Sequence, residues 1–177
     1  FVKIIKKKFK NLFLIKHKTF KDKRGYFREI LRENRINKKF TFLVMSYSKK
    51  NVIRGLHLQT KLSQGKFVSV IKGKIYDVAV DLRSGSKTFG KYFSCILSES
   101  NGKSIFIPPG FAHGFQAIGK NNYVIYSCTQ YRDKNSEVSI NVDDKDLNIK
   151  WPSNKRIISR RDCKALSLKE FKKNKKK

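Results

Sequence analysis

Three histidines occur in the chain. Two of them fall in segments that also carry other chemically able residues: Arg54-Gly55-Leu56-His57, with Gln64-Gly65-Lys66 shortly after it, and Pro109-Gly110-Phe111-Ala112-His113-Gly114-Phe115 far downstream. A neutral histidine is the commonest general base near pH 7, an aspartate on its second nitrogen fixes the tautomer, and a lysine or a phenol can stabilise or protonate an enolate. A lone histidine in a β protein is more often a core residue bonded to a backbone carbonyl, so the surroundings of His57 have to decide its role.

A metal centre is the other chemistry that histidines suggest. Jelly-roll barrels often hold one through a His-x-His pair, a carboxylate and a later histidine. Here Leu56 and Leu58 flank His57, and His17, His57 and His113 lie in three separate segments, the first of them lysine-rich. No catalytic metal is expected, and acid–base chemistry by side chains remains.

The elements that must position these residues read as strands. Apolar and β-branched runs of about five to eight residues are punctuated by glycine and polar pairs. Phe67–Ile71 and Ile75–Asp81, joined through Lys72-Gly73-Lys74, read as a hairpin in which Gly73 supplies a positive φ. Further strands are expected at Phe40–Ser48, Val52–Gln59, Tyr92–Leu97, Ser104–Ile107, Gly114–Ile118 and Tyr123–Gln130, and helical periodicity is confined to Lys164–Lys173. Many short strands at this spacing predict a sandwich or barrel. In the strand Val52–Gln59, period-two alternation puts Ile53, Gly55, His57 and Gln59 on one face.

At 177 residues the chain accommodates one well-filled domain, so an active site is carried by one core or shared between subunits. The expectation is a single domain over 1–177 with a basic N-terminal segment and a Lys-rich C-terminal tail. Lys and Arg number 42 against 13 acids, a formal +29, which attracts anions in general: nucleic acid, anionic lipid or phosphorylated small molecules. Much of the excess sits at the ends, in the run Lys6-Lys7-Lys8 and the tail Lys172 to Lys177, which read as solvated surface. With no RNA-recognition aromatic signature and no paired zinc-ligand spacing, a nucleic-acid partner is the minor reading. Cys95, Cys128 and Cys163 are few, odd in number and widely spaced, as in a reducing cytoplasm. The apolar stretch Phe9–Ile15 is interrupted by Lys10 and Asn11 and falls far short of a membrane span, so a soluble cytoplasmic protein is expected.

From about Lys21 to Asp162 the chain resembles the dTDP-4-dehydrorhamnose 3,5-epimerase family. The pieces that carry the resemblance are Arg24-Gly25-Tyr26-Phe27-Arg28-Glu29, Asn51 to Gln59, Gln64-Gly65-Lys66, Asp77 to Arg83, Pro108 to Phe115, Trp151-Pro152 and Ser159-Arg160-Arg161-Asp162. Any one of them is weak, whereas seven in this order are jointly specific. The resemblance implies an all-β, cupin-type jelly-roll sandwich or barrel with a short C-terminal helical segment. It also implies a cofactor-independent isomerase, and a homodimer with swapped N-terminal strands.

The implied substrate is a nucleotide-linked 4-keto-6-deoxy sugar, dTDP-4-dehydro-6-deoxy-D-glucose above others, converted to dTDP-4-dehydro-L-rhamnose. A C4 ketone acidifies the protons at C3 and C5, so one base and one acid on opposite faces can invert either centre. By the resemblance His57 is the base, Asp162 its orienting carboxylate, Lys66 the cation beside the C4 oxygen and Tyr126 the acid, with Tyr123 and Tyr131 as neighbouring phenols. Arg24, Phe27 and Glu29 match a stretch that contacts the nucleotide, often from the neighbouring subunit. Ser46, Arg54, Gln59, His113, Arg132, Glu137 and Arg161 match further binding positions, and the arginine fork suits a diphosphate. Strict alternation sets Arg54 on the face opposite His57, so a bulge at Gly55 is expected if both serve one pocket.

Three departures stand out. The loop between His57 and Lys66 is one residue short, Val44-Met45-Ser46 stands where the family has Gln-x-Asn, and Arg132 and Lys134 stand where it has a thymine-stacking tyrosine and a proline. An arginine plane also stacks on a base, so the departures bear on which base is preferred. The alternatives are a single-centre epimerase or 3,4-ketoisomerase on the same scaffold and, from another class, a non-catalytic basic cupin that binds nucleic acid.

Overall fold

The computed structural model describes residues 2–6 and 9–174, so Lys7, Lys8 and Lys175 to Lys177 of the basic runs lie outside the described residues. The strands in chain order are β1 Val2–Lys6, β2 Phe13–His17, β3 Thr19–Asp22, β4 Gly25–Arg28, β5 Phe42–Lys49, β6 Ile53–Gln59, β7 Lys66–Lys72, β8 Lys74–Asp81, β9 Tyr92–Ser98, β10 Lys103–Ile107, β11 Phe111–Ala117, β12 Asn121–Cys128 and β13 Glu137–Ser139. Three short helices, α1 Glu33–Ile36, α2 Arg160–Cys163 and α3 Leu168–Asn174, complete the described elements. No described helix is long and apolar enough to cross a membrane.

The strands form a six-stranded sheet in the order β1-β2-β10-β7-β12-β5 and a five-stranded sheet in the order β13-β6-β11-β8-β9, with β3 and β4 as a separate two-stranded arm. From β5 to β13 the chain passes back and forth between the sheets, staying in one only for the β8–β9 pair, as in a jelly roll, and the cupin-type all-β class is what the structure shows. Period-two side-chain alternation explains why β8 carries apolar residues on both of its faces. Ile75 and Ala79 face the core between the sheets, while Val78 and Val80 face a second core, where Ile140, Val142, Leu147, Trp151 and Phe171 cover the back of the five-stranded sheet. Residues 30–40 cover part of the opposite outer face, packing Ile30, Leu31, Ile36 and Phe40 on Phe67 and Phe106.

The expected hairpin of Phe67–Ile71 with Ile75–Asp81 is not present. Both segments are strands, but β7 pairs with β10 and β12 while β8 pairs with β11 and β9, so Gly73 turns the chain from one sheet into the other. At φ 90° a Cβ on Gly73 would lie 2.2 Å from the Asn121 carbonyl oxygen, so this corner needs both the positive φ and the missing side chain. A three-residue link suits a hairpin and a sheet-to-sheet corner equally; the free edges that β10 and β11 fill decide between them.

β2 is pinned by a buried polar chain: His17 Nε2 and Ser104 Oγ are 2.8 Å apart, and Ser104 Oγ lies 2.5 Å from Ser69 Oγ. Burial, with the Arg28 charge next in weight, pushes the His17 imidazole down from 6.5 to about 4. Because the folded value is the lower one, nothing is lost above pH 6.5; between 6.5 and 4 the unfolded chain takes up a proton that the folded ring refuses. Urea unfolding is expected to show a stability loss of about 3 kcal/mol from this group across that window. His17→Gln removes that slope; an unchanged slope in the variant rejects the assignment.

Candidate active site

The site begins at an irregularity in β6. Between the cross-strand pairs His113–His57 and Phe115–Arg54, β11 spends two residues and β6 spends three, which is the bulge expected around Gly55. Gly55 adopts φ 113°, and a Cβ there would stand 2.6 Å from both Gly114 Cα and the His113 carbonyl oxygen. The bulge brings Arg54 and His57 to the same side of the sheet, where both line a cavity of about 670 Å³ between the sheets.

His57 Nε2 lies 2.7 Å from Asp162 Oδ1. The carboxylate is set by the start of α2, where Ser159 caps the helix by accepting the Asp162 N–H at 3.1 Å. Burial disfavours the charge of Asp162, but hydrogen bonds from His57, Ser159 and the Gly55 N–H outweigh it and hold the carboxyl below its ordinary range. An ionised carboxylate accepts only, so it keeps a proton on Nε2 and leaves Nδ1 with the lone pair of a base.

The opposite wall belongs to the six-stranded sheet. Tyr126 on β12 shares a hydrogen bond of 2.9 Å with Ser46 on β5, and Lys66 on β7 is the cross-strand partner of Cys128 on β12. Burial raises the Tyr126 phenol well above its ordinary value, so it is an acid form at neutral pH. Burial lowers the Lys66 ammonium, against which Cys128, Glu137 and Asp77 act. Of the neighbouring phenols, Tyr123 packs on Tyr47 with ring centroids 5.0 Å apart, and Tyr131 packs on Phe42 at 5.8 Å; neither lines the cavity.

Three arginines border the cavity. Arg54 donates to Ser48 Oγ and the Tyr47 carbonyl, while Arg132 and Arg161 grip the two oxygens of Glu137 at 2.7 and 2.8 Å. Burial raises Glu137, yet the Arg132 hydrogen bond and the Arg161 charge prevail and keep it ionised. One carboxylate between two guanidiniums leaves a net positive charge there. Gln59 also lines the cavity, but its amide is engaged with the carbonyls of Leu62 and Tyr131 and with the Asp133 N–H, so it braces the 131–133 loop.

Of the residues singled out in the sequence, His57, Asp162, Lys66, Tyr126, Ser46, Arg54, Gln59, His113, Arg132, Glu137 and Arg161 therefore meet at one cavity. Arg24, Phe27 and Glu29 do not. They lie on or just after the β3–β4 arm, where Arg24 pairs with Asp22, Glu29 pairs with Arg32, and Phe27 is exposed. Sequence reasoning missed Asp77, whose Oδ2 lies 2.8 Å from His113 Nε2. The available signal was a carboxylate in the middle of the apolar run Val78-Ala79-Val80 and its neighbours.

Comparison with known proteins gives a consistent picture. The family model described as dTDP-4-dehydrorhamnose 3,5-epimerase matches residues 6–170. A protein of that name from Methanothermobacter thermautotrophicus is 41% identical over 155 residues, covering 85% of this chain and 84% of its own length. One from Neisseria gonorrhoeae is 43% identical over 144 residues, and there the match spans 78% of this chain but only 44% of the relative. Among solved structures, the dTDP-6-deoxy-D-glucose-3,5-epimerase of Legionella pneumophila, in complex with dTDP-4-keto-L-rhamnose, is 39% identical; the match has a TM-score of 0.92 and covers 96% of this chain and 94% of that one.

Proposed function

Because the chain belongs to the dTDP-4-dehydrorhamnose 3,5-epimerase family, we propose that it inverts C3 and C5 of a nucleotide-linked 4-keto-6-deoxy sugar, dTDP-4-dehydro-6-deoxy-D-glucose above others. The observation that carries the reading is that a carboxylate-braced imidazole and a protonated phenol enter one cavity from opposite sheets. His57 removes the proton next to the ketone, and Lys66 stabilises the charge that develops on the C4 oxygen. Tyr126 returns a proton from the other face. Arg54, Arg132 and Arg161 bind the diphosphate, and no redox cofactor or metal is required by this proton chemistry.

We further infer a homodimer. On the outer face of the edge strand β5, Leu43, Met45 and Tyr47 are 66%, 63% and 41% exposed, an apolar stripe that a second copy would cover. The β3–β4 arm then delivers Arg24, Phe27 and Glu29 to the partner's cavity. Sedimentation of the wild type as a dimer and of Met45→Asp as a monomer is expected; a monomeric wild type removes this part.

The test of the activity is incubation with a panel of 4-keto-6-deoxy sugar nucleotides in heavy water. Deuterium is expected at both C3 and C5. Uptake at one carbon alone reassigns the chain to a single-centre epimerase, and uptake at neither rejects epimerisation.

A further inference from the structure

Asp77 is fully buried and His113 nearly so, and their 2.8 Å contact forms a second imidazole–carboxylate pair beside the first. His113 is the direct cross-strand neighbour of His57, so the two rings lie side by side on the cavity face of the five-stranded sheet. The second oxygen of Asp77 is buried and accepts no hydrogen bond. A carboxylate left in this condition is costly, and the fold offers cheaper residues at the centre of a strand. Around it, His113 on β11 bonds the carboxylate, Cys95 is its cross-strand neighbour on β9, and Lys66 on β7 and Tyr126 on β12 feel its charge from the other sheet. The His113 ring meets the Tyr126 ring edge to face with centroids 6.1 Å apart.

We propose that Asp77 is a positioning residue of the reaction: its buried carboxylate anchors His113 beside His57 and sets a fixed negative charge across from the wall that carries Lys66 and Tyr126. A fixed negative charge favours the protonated form of each, the ammonium that must meet the enolate oxygen and the phenol that must deliver a proton. Asp77 acts in this direction on both groups: it opposes the loss of the Lys66 proton that burial promotes, and adds to the burial that keeps Tyr126 a phenol. The charge thus works as a counterweight to desolvation at the two acid-form groups, while His113 keeps the carboxylate from reaching the sugar itself.

The inference rests on the epimerase reading, and its test separates the two. The pH profile of kcat/KM, read by deuterium uptake, is measured for the wild type, Asp77→Asn and Asp77→Glu. In Asp77→Asn the alkaline limb is expected to move about one pH unit toward lower pH, which is about a tenfold loss of rate on that limb. Asp77→Glu, with the charge retained, moves it back. A variant that lowers only the melting temperature and leaves the limb in place shows a merely structural role and overturns the proposal. A wild type without uptake overturns the epimerase reading instead. Asp77→Ser, also neutral and smaller, is measured in parallel so that one neutral variant decides should the other fail to fold.

Discussion

His57→Ala is expected to reduce turnover by about a hundredfold or more, the usual contribution of a positioned base. No other group lining the cavity can take over. The second imidazole, His113, is buried against Asp77, whereas the His57 ring is partly open to the cavity. The loss falls on proton removal, so deuterium uptake at both carbons drops together, while binding of the nucleotide half, gripped by arginines on the cavity border, changes little. His57 is partly exposed and belongs to neither apolar core, so no core cavity opens, and the thermal midpoint falls only by what the buried Asp162 loses with its imidazole partner. Rates near the wild type in this variant assign the base elsewhere.

Tyr126→Phe is expected to cost a comparable factor in turnover but to leave a different trace. The ring keeps its contact with His113 and its place among the core side chains, and only the hydroxyl that meets Ser46 is lost. Proton removal by His57 continues, and the protonated imidazole can return a deuteron only to the face it came from. Recovered substrate therefore gains label without inversion, the signature of an acid missing on the far side. Inversion at the wild-type rate would take the role away from Tyr126.

Much of this architecture was legible because β-branched and aromatic runs advertise strands whatever their partners. β5, β6, β9, β10, β11 and β12 lie where the apolar runs place them, to within a few residues. β1 and β2 were hidden because lysines interrupt Val-Lys-Ile-Ile-Lys and Phe-Leu-Ile-Lys-His, and β13 is three residues long. Pairing was the harder matter. Nothing local distinguishes a link that folds back on its neighbour from one that changes sheets, as Gly73 does. The same limit applies to the cavity: its histidines and lysine sit in recognisable motifs and Tyr126 follows from the family resemblance, whereas the role of Asp77 acquires meaning only when β11 lies beside β8. The lysine-rich ends stand out in the sequence, yet the basic groups gathered at the cavity border are arginines, two of which, Arg132 and Arg161, meet on one carboxylate, Glu137.

The interleaving of the two sheets carries a consequence for how the molecule comes to be. Neither sheet can be completed from a contiguous stretch, since the larger one needs β1 and β12 and the smaller one needs β6 and β13. Most ladder contacts therefore wait on distant partners, which makes for slow, all-or-none condensation. Asp162 stands 105 residues beyond the imidazole it braces. A growing polypeptide thus holds every other part of its proton machinery before it can use any of it, and no fragment that stops short of α2 is expected to turn over substrate at the full rate.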